Sequence, residues 1–105
     1  MIKLVFTQQR EVLQFIIDKR VITYVDRLWK NPIQVIPKDE KLLQKVRMSR
    51  NRVPQMIHKW IIDANSGKNK EEYDACKNDE ELSEIIIRDA RLKGCKLQKV
   101  IKDAS

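Results

Sequence analysis

Glycine and proline are scarce, at two and three in 105 residues. That disfavours an all-β fold built on many tight turns. No stretch of about 18 apolar residues is present, and nothing at the start reads as an export signal. A soluble, intracellular protein is the expectation, cytoplasmic or nucleoid-associated, with no membrane partner. There is a single histidine, His58, with no Cys or Asp at ligand spacing beside it, so no metal site is expected. No glycine-rich loop is available to cradle a phosphate. Neither Cys76 nor Cys95 lies in a motif that would mark a nucleophile. The paired acids Glu71-Glu72 and Glu80-Glu81 fall where helix starts favour negative charge. No catalytic residue and no cofactor are therefore expected. Without an export signal, the two cysteines read as reduced thiols in a core.

What the chain does contain is enough apolar sequence for a core, at 42%, and a high charged fraction, at 35%. At 105 residues it reads as one domain, 1–105, with no room for a second core. Its net charge of +7 and pI near 9.6 call for an acidic partner.

Most apolar positions step by three and four, the period of a helix with one buried stripe. Residues 1–6 form a short apolar run, either an edge strand or a lead into the core. Val12, Leu13, Ile16, Ile17, Val21, Tyr24, Val25 and Leu28 then predict a long helix from Thr7. Arg20 interrupts that stripe and suggests a break near Lys19-Arg20, or a side chain that snorkels out. Asn31-Pro32 ends the segment. Asn65-Ser66-Gly67 is the clearest turn. Asn69 with Glu72, and Asn78 with Glu81, have the spacing of reciprocal caps. They predict a short helix over 70–77 and a longer one over 79–93. The second buries Leu82, Ile85, Ile86 and Ala90, and Gly94 stops it. Trp29 and Trp60 are spaced as core residues. The tail from Cys95 to Ile101 alternates. It is either a short strand pairing with residues 2–6 or an extra amphipathic turn, and Lys96, Lys99 and Lys102 give it a second basic patch. The sum is an all-α fold: a compact bundle of five to six helices, with at most a minor two-stranded element from the termini.

The stretch 41–59 concentrates the charge. Lys41, Lys45, Arg47, Arg50, Arg52 and Lys59 lie in it with no acid. Solvated helix faces ordinarily mix signs. Leu42, Leu43 and Val46 form one stripe. Val53, Met56, Ile57, Trp60, Ile61 and Ala64 form another, with Ser49 as a capping residue between them. Val46, Met48, Ser49, Val53 and Ile57 fall where the helix-turn-helix family has its buried and capping positions, and 42–60 resembles that unit. Leu43 and Arg47 depart from the small residue and the turn glycine usual there. Pro54 suits the first turn only if Asn51 is the cap. The resemblance implies DNA binding through a recognition helix. Asn51, Gln55 and His58, flanked by Arg50, Arg52 and Lys59, would face base edges. Lys41, Lys45 and Arg47 would hold phosphates. Ile62 shares the polar face and calls for cover. The implied protein is a small, non-enzymatic, regulatory nucleic-acid binder, with DNA favoured over RNA.

A rival resemblance is to the death fold, in particular the caspase recruitment domain. It rests on 24–31 (YVDRLWKN), similar to that family's second helix, and on 53–63 with Gly67, similar to its fourth. The connector 30–37 is too long for the family, and large apolar positions of its fifth helix are missing. This resemblance implies homotypic assembly of a basic face against an acidic one. Residues 63–84 hold eight acids and three bases, so they either face away from nucleic acid or pair with the basic stretch of another copy in a homo-oligomer.

Overall fold

In a computed structural model of the chain, the described residues are 1–25, 33–35 and 55–102. They group into two compact units, Met1–Gln34 with Cys76–Ser105, and Val35–Ala75.

The first unit is built on strands β1 (Ile2–Gln8), β2 (Glu11–Asp18), β3 (Val21–Val25), β4 (Ile33–Gln34) and β5 (Lys96–Lys102). They form one antiparallel sheet in the order β4-β3-β2-β1-β5. The expected all-α bundle is therefore overturned, and so is the long first helix: residues 11–25 are a hairpin. Leu13, Phe15 and Ile17 are buried and alternate along β2, as do Ile22 and Tyr24 along β3. That period of two puts one edge of the strand inward at every second residue. Lys19 and Arg20 occupy the two-residue loop between the strands, with φ of +51° and +65°. Both signs are those of a type I′ turn, the loop that matches strand twist. The break near Lys19-Arg20 is thus a full chain reversal.

β1 is not an edge but lies between β2 and β5. The tail is the strand reading, and it pairs with residues 2–7. Three aromatic rings line the covered face of the sheet. Phe6 meets Phe15 edge-on at 5.8 Å, and Phe15 tilts against Tyr24 at 5.6 Å. Such pairs add about 0.5–1.5 kcal/mol each beyond burial.

Helix α3 (Asp79–Leu92) packs on this face, against β1, β2 and β5. Leu82, Ile86 and Ala90 are buried, at helical spacing, while Ile85 is half-buried. Both ends of α3 are closed by sequence-specific devices. Asn78 accepts a bond from the Glu81 amide at 2.9 Å. Glu81 reaches back to accept from the Lys77 amide at 2.7 Å, one residue before the cap, a variant of the capping box. At the other end the Cys95 amide reaches Ala90 and the Gly94 amide reaches Arg91, the Schellman pattern. Gly94 sits at φ +82°, where a Cβ is strained. Two further bonds tie α3 to the strand turns: the Arg20 amide donates to Asp79 Oδ1 at 2.7 Å, and Gln8 Nε2 donates to the Lys93 carbonyl at 2.9 Å.

The second unit contains α1 (Gln55–Ala64) and α2 (Gly67–Ala75). α2 starts earlier than the Asn69 cap predicts, and Asn69 lies inside its first turn. The turn at Asn65-Ser66 closes α1. Asn65 Nδ2 donates to the carbonyls of Ile61 and Val35, at 2.7 and 2.8 Å. Trp60 Nε1 donates to Tyr73 Oη at 3.3 Å, joining α1 to α2 through a buried bond.

Candidate nucleic-acid interface

α1 carries the only described part of the basic stretch. Lys41, Lys45, Arg47, Arg50, Asn51 and Arg52 lie outside the described residues, as do Trp29 and the rest of the predicted first helix of the helix-turn-helix unit. Gln55 opens α1. Ile57, Trp60, Ile61 and Ala64 are buried, in the stripe that the sequence predicts. At 100° per residue, Lys59 and Ile62 fall on the side away from that stripe, and His58 falls at its flank. Lys59 is exposed and His58 half-buried, as this geometry gives, but Ile62 is half-buried although it lies on the side away from the stripe. So of His58, expected on the base-reading face, and its flanking Lys59, only Lys59 is exposed. Ile62, on the same side as Lys59, is partly covered within its own chain.

The acidic segment 63–84 has local employment. Asp79, Glu80 and Glu81 form the first turn of α3, where the helix dipole favours negative charge. Asp79 also accepts from Arg20, Glu81 from Lys77, and Glu80 pairs with Lys102 at 3.7 Å. The Glu80–Lys102 pair is largely exposed and adds little. Glu71, Asp74 and Glu84 are exposed.

One surface escaped sequence reasoning. Residues paired directly across strands share a face, so Lys99 lies beside Val5, and Lys96 beside Thr7. Both lie on the face that also carries Lys3, opposite α3. Val12, Gln14, Ile16, Asp18, Val21, Thr23, Val25 and Ile101 complete it by register. These positions are half-buried or exposed. Lys102 belongs to the other face, opposite Ile2, so the expected patch of Lys96, Lys99 and Lys102 is divided. The available signal was the alternation of residues 2–6.

Cys76 and Cys95 are buried and form no disulfide. Burial pushes the Cys95 thiol above its ordinary value, and the Lys93 charge partly opposes this. Among the described residues no three His, Cys, Asp or Glu come together as a metal site, and no helix is long and apolar enough to cross a membrane. Comparison with protein families, curated proteins and solved structures finds no significant match.

Proposed function

We propose that the protein binds nucleic acid, DNA in preference to RNA, through the basic stretch 41–59 and without catalysing a reaction. One observation carries this reading: six cations and no acid in 19 consecutive positions of a chain whose whole net charge is +7. The stretch runs into α1, whose exposed Lys59 lies away from the buried stripe. Charge of one sign along such a segment releases counterions from a polyanion, and this term dominates non-specific affinity.

Roles divide by side-chain chemistry. Lys41, Lys45 and Arg47 hold phosphates, while Arg50, Asn51, Arg52, Gln55 and Lys59 supply the groups able to read base edges. Replacing Lys45 or Arg47 weakens binding to every sequence about equally and flattens the salt slope. Replacing Asn51 or Gln55 relaxes sequence preference. A mobility-shift titration of each variant against random and selected duplexes reads both effects. If replacing Arg50, Asn51, Arg52, Gln55 and Lys59 leaves duplex affinity untouched, the recognition-helix assignment is wrong.

A further inference from the structure

We infer that the open face of the sheet is a second contact for the nucleic-acid backbone, made by Lys3, Lys96 and Lys99. The inference rests on the reading that the ligand is nucleic acid, but it uses residues of the other compact unit.

The argument begins with the β-bulge. In a regular strand, positions three apart point to opposite faces. Lys96 and Lys99 are three apart and yet share a face, because the β1–β5 register shifts between Val5 and Phe6. Val5 pairs with Lys99 and Phe6 with Leu97, leaving Gln98 as the extra residue. Gln98 Nε2 donates to Thr7 Oγ1 at 2.9 Å, which pins the irregularity. Bulges commonly re-aim a side chain at an edge strand, and β5 is an edge. Here the effect is to bring a second lysine round to join the first. Lys3 extends the row, since Lys3, Val5 and Thr7 point the same way along β1. The Cα positions of the three lysines are thus staggered along the strand direction at steps of about 7 Å.

No described acid neutralises them. Among the described residues, none of the three lysines makes an ion pair. The one acid assigned to this face by register is Asp18, opposite Val21, at the end away from Lys96. By contrast, Lys102, on the covered face, is already paired with Glu80. Helix α3 lies on that covered face too. The occupant implied is therefore a polyanion lying along β1 and β5. Phe6, Phe15 and Tyr24 are all on the covered side, so this surface offers no described aromatic ring for a base to stack on. It holds phosphates and does not read bases.

The test is fluorescence anisotropy of a labelled random-sequence duplex across a salt series, using the full chain. The triple variant Lys3→Gln, Lys96→Gln, Lys99→Gln is compared with the wild type, and unchanged circular dichroism certifies its fold. Three lost phosphate contacts lower the slope of log affinity against log salt by about 2.7. Between 50 and 200 mM salt, the wild type then loses about 40-fold more affinity than the variant. Lys99→Gln alone lowers the slope by about 0.9, whereas Lys102→Gln, on the same strand but the other face, leaves it unchanged. If the triple variant fails to fold, these two single variants decide. An unchanged slope in the triple variant, or equal effects of Lys99→Gln and Lys102→Gln, overturns the inference. So does a change of oligomeric state on removing the lysines, which would assign the face to a second copy. A variant neutralised at Lys41, Lys45, Arg47, Arg50, Arg52 and Lys59 separates the two proposals. If it keeps the wild-type slope while the triple variant flattens it, the basic stretch is refuted and the sheet face stands; the reverse pattern refutes the sheet face alone.

Discussion

Replacing Lys19-Arg20 by Asn-Gly should stabilise the protein. Both positions have positive φ, +51° and +65°, and a left-handed conformation costs a residue with an ordinary side chain about 1–2 kcal/mol. Asn tolerates that region and Gly is free in it. Against this stands the greater freedom of Gly in the unfolded chain, about 0.5–1 kcal/mol. The bond from the residue 20 amide to Asp79 Oδ1 uses the backbone and survives the change. The net expectation is a gain of about 1 kcal/mol, or a rise in Tm of about 4–8 °C for a chain of this size. Urea denaturation and a thermal scan, both followed by circular dichroism, measure it. The sign is the decisive part. Were 11–25 a helix, as the spacing of its apolar residues also allows, an interior Gly would cost about 1 kcal/mol. A lower Tm in the Asn-Gly variant refutes the hairpin.

Three further outcomes follow from the caps, the buried bond and the thiol. Asn78→Ala removes the acceptor for the Glu81 amide and should cost about 1 kcal/mol in a urea titration. Tyr73→Phe leaves the buried Trp60 Nε1 without the Tyr73 hydroxyl and should cost about 1–3 kcal/mol by the same titration; no loss would show that another acceptor serves it. The Cys95 pKa is raised in the folded state, so its contribution to stability is full below the unfolded thiol's pKa and falls as pH rises through the folded one. Wild type should therefore lose stability at alkaline pH more steeply than Cys95→Ala, measured as the shift of the urea midpoint between neutral and alkaline buffer.

The sequence is most readable where one residue type has one use. Asn78 with Glu81, and Gly94 after the last apolar turn, mark both ends of α3 nearly to the residue. The stripe of α1 and the Asn65-Ser66-Gly67 turn are legible for the same reason. The hairpin is hidden because Val12, Leu13, Ile16 and Ile17 satisfy two periods at once. Phe15 and Ile22, which fit only the strand period, decide between them. Its turn carries Lys-Arg where Asn-Gly would have announced it. Scarcity of glycine therefore misled, since this sheet makes its tight loops with strained ordinary residues. As for the interface, Lys59 falls where helical spacing puts it, but His58 is half-buried. On the sheet face, Lys96 and Lys99 were legible as part of a basic patch, but the bulge at Gln98 that puts both on one face, and the strand pairing that joins Lys3 to them, were not.

The central claim is that positive charge on this chain meets a nucleic-acid backbone. It is tested most directly by the salt dependence of wild-type affinity for a random-sequence duplex. Three phosphate contacts by Lys41, Lys45 and Arg47 predict a slope of log affinity against log salt of about −2.7, and three more by Lys3, Lys96 and Lys99 steepen it to about −5. Binding that is absent at low salt, or a slope near zero, would contradict it.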